Sequence, residues 1–95
     1  MDNGVYVLVT TDSTKRGVFV GELAAREGDC CTLLNARNCV YWSPETHGVF
    51  GIAANGPAAG SRIGPRVDEI DLVGVTSVTR VSADARNVLE SEPWD

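Results

Sequence analysis

The first forty residues alternate between β-branched, apolar runs and short polar breaks. Val5 to Thr10 reads VYVLVT, which predicts a buried strand. Thr11 to Lys15 is a polar turn. In Gly17 to Ala24, Val18, Val20 and Glu22 fall on one face and Phe19, Gly21 and Leu23 on the other, which predicts a second strand. Gly21 within it marks a bulge or the close approach of another backbone. Arg26 to Asp29 reads as a hairpin turn, Cys30 to Asn35 as the returning strand, and Ala36 to Trp42 as a further short extended stretch.

The period then changes. Ser43-Pro44-Glu45 predicts a helix start, with the Ser43 hydroxyl as cap and Pro44 at the first helical position. Val49, Phe50, Ala53 and Ala54 recur at helical spacing, and Asn55-Gly56-Pro57 ends the element. Gly48 and Gly51 each weaken this helix by roughly 1 kcal/mol relative to Ala, so it needs tertiary support or a neighbour that only glycine admits. Residues 57–66 read as a glycine-containing loop. Val67 to Val73 and Val75 to Val81 read as two more strands, with Gly74 as a bulge or corner. Ser82 caps a last short helix that Pro93 stops, and Trp94 is expected to fold back on the body. The fold class that follows is α+β: a small, mostly antiparallel β domain, barrel-like or a rolled sheet, with one central short helix and a short C-terminal helix. Ninety-five residues make a single domain with a thin core.

Charge adds a location. The net charge is -5, which disfavours polymeric nucleic acid and anionic membranes as partners. Acids crowd the last third, whereas Leu33 to Val67 holds only Arg37, Glu45, Arg62 and Arg66. A small anion would be sought in that middle. No signal peptide opens the sequence and no apolar run spans a bilayer, so a cytosolic protein is expected. Three cysteines, two of them adjacent, make neither a disulfide framework nor a metal site and read as small thiols in a reducing compartment.

Candidate chemistry is sparse. His47 is the only imidazole and has no fixed partner in sequence. Glu69 and Asp71 share a strand face and read as a solvated edge rather than an acid–base pair. Gly56, Gly60 and Gly64 flank Arg62 and Arg66, a loop that either contacts an anion or is plain loop, and it lacks the known phosphate-binding spacings. Asn35-Ala36-Arg37 followed by Tyr41-Trp42 offers an amide, a guanidinium fork and two rings. The two aromatics either stack on a ligand or fill the core before the helix. An acidic C-terminal face also suits a protein-binding inhibitor of a basic host protein. No cofactor is expected, and a non-catalytic binding protein is the expectation.

The runs GVFVGEL (17–23), TLLNAR (32–37), YWS (41–43), VDEIDLVGV (67–75) and EPW (92–94) resemble, in order and spacing, a family of small bacteriophage and prophage proteins. That family is similar to the first-described Thoeris anti-defence proteins, sponges that hold cyclic ADP-ribose isomers made by bacterial TIR-domain enzymes without cleaving them. Some relatives also bind cyclic oligonucleotides. The resemblance implies immune evasion in the cytoplasm of an infected bacterial host and an adenine- and ribose-bearing diphosphate as ligand. It implies that Tyr41, Trp42 or Phe50 stacks on a base, that Arg37, Arg62, Arg66 and Arg80 meet the diphosphate, and that Asn35 or Asn55 binds ribose or base. It also implies a homodimer or higher homo-oligomer, with pockets between subunits.

Overall fold

A computed structural model of the chain describes residues 4–12 and 17–93. Six strands form one antiparallel sheet: β1 (Tyr6–Thr11), β2 (Val18–Glu27), β3 (Cys30–Tyr41), β4 (Arg62–Ile63), β5 (Val67–Leu72) and β6 (Val75–Arg80). Two helices accompany them, α1 (Gly48–Asn55) and α2 (Ala83–Ser91). The strand order is β4-β3-β2-β1-β6, and β5 also pairs with β3. β3 therefore serves two partners in succession, β5 along Cys31–Ala36 and β4 along Cys39–Tyr41.

This order forces the sheet to roll. β5 and β6 lie at opposite edges of β5-β3-β2-β1-β6, about 19 Å apart if the sheet were flat. Only Val73 and Gly74 connect them, a link that reaches about 11 Å at most. The sheet curls to bring its edges together, and Gly74 turns the corner at φ +68°. Rolling makes β1 central to both sides. Tyr6 and Leu8 join one apolar cluster with Val18, Val20, Cys39, Ile63 and the helical Ile52, Ala53 and Leu89. Val7 and Val9 join the other, inside the roll, with Leu23, Cys31, Leu33, Ala36 and Leu72. A strand buried on both faces has no polar alternation, which is why its sequence reads as one apolar run.

The predicted fold class holds, with four local corrections. β2 runs on to Glu27, so the hairpin turn is only Gly28 and Asp29. The two stretches expected at Cys30–Asn35 and Ala36–Trp42 are a single strand, β3, interrupted by a bulge. At that bulge Asn35 takes φ +50°, opposite Gly21, where a side-chain carbon would lie 3.0 Å from the Leu34 carbonyl oxygen. The helix expected from Pro44 is instead a 3-10 turn, Pro44–Thr46, separated from α1 by His47 in a left-handed conformation. The Ser43 hydroxyl does not cap it and is buried without a partner among the described residues. Finally, the loop of residues 57–66 contains β4, which pairs Tyr41 with Arg62.

Other expectations are met. Ser82 caps α2 by accepting from the Ala85 amide at 3.0 Å. Gly51 has the neighbour that only glycine admits, because a side-chain carbon there would stand 1.6 Å from the Thr46 carbonyl oxygen. No helix among the described residues is long and apolar enough to cross a membrane. The expected turn around residues 13–15 and the folding back of Trp94 lie outside the described residues.

Candidate functional site

The predicted ligand residues do not converge on one place. Arg37 points inward. Past the bulge at Asn35 the side-chain parity of β3 shifts, and Arg37 takes the same face as Cys39, toward the helices. It is 4% exposed. Its Nε donates to the Gly64 carbonyl at 2.8 Å, and one terminal nitrogen donates to the Leu89 and Glu92 carbonyls at 2.6 and 2.7 Å. The other lies 3.4 Å from the Ile63 carbonyl. The guanidinium thus ties the end of α2 to β4 and the following loop. Burial first, and then the Arg66 charge, lower its pKa from the usual arginine range.

Trp42 lines a cavity of about 590 Å³ and is half-buried there. Its apolar lining is Val18, Cys39, Val40, Trp42 and Val49, and its polar lining is Thr10, Thr11, Asp12 and Thr76. The Thr10 hydroxyl contacts the hydroxyls of Thr76 at 2.7 Å and Ser77 at 2.6 Å. The Thr11 oxygen accepts from the Gly17 amide at 3.2 Å. Burial pushes the Cys39 thiol up to about 12, with nearby Arg37 opposing the shift, so at neutral pH the sulfur is an apolar wall atom rather than a nucleophile.

Val40 also lines a second recess of about 430 Å³, with Tyr41, Gly60 and Arg62. Both cavities therefore border Val40 on β3. Tyr41 is 50% exposed and faces Arg62 across the ribbon. An exposed ring beside a guanidinium, near a cavity lined by a second ring and by hydroxyls, offers contacts for a flat heterocycle, a polyhydroxyl unit and an anion.

The remaining predicted residues sit elsewhere. Phe50, 76% exposed, and Arg80 border a shallow recess of about 300 Å³ between α1 and the end of β6. Asn55 is exposed at the end of α1 and lines none of these cavities. Asn35 and Arg66 share a polar recess of about 230 Å³ with Tyr6, Glu22 and Glu90. There the Asn35 amide donates to Glu22 Oε2 at 3.2 Å, and Arg66 donates to the Glu90 carbonyl at 3.3 Å.

Reading the sequence left out Thr10, Thr11, Asp12 and Thr76. Thr10 and Thr11 read as the end of a strand and the start of a turn, and Thr76 as a strand residue. They gather only because β6 pairs with β1, with a register shift between Thr10 and Thr11. No local pattern announces a pairing between residues more than sixty positions apart.

A family model described as a domain of unknown function (DUF6948) matches residues 4–89, and the chain belongs to that family. No curated protein and no solved structure matches the chain.

Proposed function

We propose that this member of the DUF6948 family binds a cyclic nucleotide-type signalling molecule and sequesters it without cleavage, as a phage-encoded immune-evasion protein in the cytoplasm of the infected bacterium. The ligand class is that of cyclic ADP-ribose isomers made by TIR-domain enzymes, with cyclic oligonucleotides as relatives. One observation carries the reading. The Trp42 cavity and the Tyr41–Arg62 recess both border Val40, so a ring, hydroxyls and a guanidinium lie around one residue of β3. The larger cavity falls within the ~300–1,000 Å³ of small-molecule sites. A base stacks on Trp42, ribose hydroxyls meet Thr10 and Asp12, and the diphosphate reaches Arg62.

Sequestration demands tight binding. A nanomolar complex is worth about -12 kcal/mol and needs nearly complete burial of a polar ligand. The Trp42 cavity is not enclosed. A second copy closing over the mouth supplies the missing wall, which makes a homodimer or larger homo-oligomer the binding form.

Calorimetric titration with cyclic ADP-ribose isomers and cyclic di- and trinucleotides tests this, followed by denaturation and chromatography of the ligand. Submicromolar binding, intact release, and at least a tenfold loss in Tyr41→Ala and Arg62→Gln are expected. Absence of heat with every member, or release of a cleaved product, refutes the reading. A second reading has its own support. β5 presents exposed Asp68, Glu69 and Asp71 on an outer strand, a surface suited to a basic host protein. Under that reading Asp68→Asn with Glu69→Gln abolishes capture of the partner, and Tyr41→Ala leaves it unchanged.

A further inference from the structure

We infer that two copies of the chain associate through the outer edge of β6, paired antiparallel about a twofold axis at Val78. This names the interface of the homo-oligomer proposed above, although the pairing stands on the strand edge and not on any ligand. β5 and β6 are the two long outer strands, each paired on one side only among the described residues. The rhythm of main-chain bonds shows which groups β6 leaves open. The Val81 amide donates to the Tyr6 carbonyl at 3.1 Å, and the register continues through Val7–Arg80, Leu8–Thr79, Val9–Val78 and Thr10–Ser77. Bonded and unbonded pairs alternate along an antiparallel ladder, so Thr79 and Ser77 bond to β1, whereas Val78 and Arg80 turn their N–H and C=O groups away from it. The other side of β1 agrees: the Leu23 amide donates to the Val5 carbonyl, which assigns the odd residues of β1 to β2.

The two outer edges differ in chemistry. β5 reads VDEIDL, with Asp68, Glu69 and Asp71 exposed, and a second copy laid against it would meet like charges. β6 reads VTSVTR, with no proline and no charge before Arg80, so it lacks the devices that keep strand edges apart. It is also self-complementary. Carboxylates gather at its first end. The Asp12 carboxylate leans over Gly74, where a side-chain carbon would lie 2.6 Å from Oδ1, and Asp29 accepts the Val75 amide on its carbonyl at 2.9 Å. Exposed Arg80 marks the last end. Exposed apolar residues follow the same polarity. Val73, 69% exposed, precedes β6, and Phe50, 76% exposed, shares a recess with Thr79, Arg80 and Val81 at its end. Antiparallel pairing of two copies sets acid against base and Val73 toward Phe50, whereas parallel pairing sets like ends together.

A twofold axis at Val78 fixes the register. Val78 faces the partner's Val78, and Thr76 faces the partner's Arg80. Gly74 is then the diagonal neighbour of the partner's Arg80, about 7–8 Å away, which brings the guanidinium within reach of the Asp12 carboxylate. Asp12 and Thr76 also line the Trp42 cavity. Within its own chain Arg80 borders a different recess, so it reaches the rim of that cavity only across the interface. A role for it toward a diphosphate rests on the nucleotide reading above.

The test is sedimentation equilibrium of the full, ligand-free chain, with amide hydrogen exchange read by NMR on the same samples. A mass twice that of one chain is expected, with a dissociation constant on the order of 10 µM or tighter. The Val78 and Arg80 amides should be protected in the dimer and exchange freely on dilution. Arg80→Glu sets a carboxylate against Asp12 of the partner subunit and is expected to weaken the dimer at least tenfold, while its circular dichroism stays unchanged because the residue is exposed. Adding Asp12→Arg to Arg80→Glu restores the ion pair and should recover most of the loss. A monomer at every concentration, a dimer in which the Val78 and Arg80 amides exchange freely, or an Arg80→Glu dimer as tight as the unsubstituted one overturns the assignment. None of these measurements needs a nucleotide. Their failure is therefore distinct from a failure of nucleotide binding, which the calorimetry above reads.

Discussion

Replacing Arg37 with methionine separates a structural arginine from a ligand-contacting one. The substitution removes three short hydrogen bonds and one long one, all to main-chain carbonyls. The acceptors on Gly64 and Leu89 belong to buried residues that water cannot reach without opening the fold. Stranding each costs about 1–3 kcal/mol. The Glu92 carbonyl is on a half-buried residue and rehydrates. Releasing a buried guanidinium to solvent in the unfolded reference, and relief of its repulsion with Arg66, offset part of the loss. The net is about 2–5 kcal/mol. A chain of ninety-five residues has about 5–14 kcal/mol in total. Urea denaturation followed by circular dichroism is expected to show a midpoint lower by about 1 M or more. Arg37→Lys, which keeps the charge but loses the fork, should fall between. A midpoint within about 0.5 M of the unsubstituted protein refutes the tether. Loss of ligand binding without loss of stability would place the guanidinium in a binding site instead.

Gly51→Ala reverses the usual helical rule: the added carbon meets the Thr46 carbonyl, and thermal denaturation should show a loss of about 1–3 kcal/mol where an open helix position would gain. Thiol titration of the folded protein should give one fast group, exposed Cys30. Cys31 and Cys39 should react only on unfolding, since burial raises both and takes Cys39 to about 12. Tyr6 is raised in the folded state, so the unfolded chain loses its phenolic proton first. Its contribution is complete below pH 10 and is lost as pH rises from about 10 to 12. Denaturation midpoints across that range should fall less steeply in Tyr6→Phe than in the unsubstituted protein.

The strands were legible where side chains alternate or branch, as in β1, β2 and β6, because those patterns report burial directly. β3 reads as two pieces because Asn35-Ala36-Arg37 is polar to the eye, yet only Asn35 leaves the strand's regular geometry. β4 is two residues long and owes its existence to β3 beside it rather than to its own composition. The motif at Ser43-Pro44 does start a helical turn, but His47 and Gly48 both adopt positive φ and interrupt it. At the candidate site, residue type alone points to Tyr41, Trp42 and Arg62. Arg37 was found for the wrong environment: it shares a strand face with Cys39, and that parity was the available sign that it points inward. The gathering of Thr10 with Thr76 follows from pairing across the whole chain and leaves no local trace.

Between Tyr41 and Arg62 the chain makes an excursion of twenty residues and returns to the place it left, since those two residues face each other across β3 and β4. The entrance and exit of that excursion are held together by the sheet itself. Loop-closure entropy grows only slowly with length once the ends are fixed. The exposed turn at Ala59 and Gly60 can therefore change length at little entropic cost and reshape what overhangs the Tyr41–Arg62 recess, while Ile52 and Ala53 of α1 stay packed in the core and the rolled sheet beneath keeps its register.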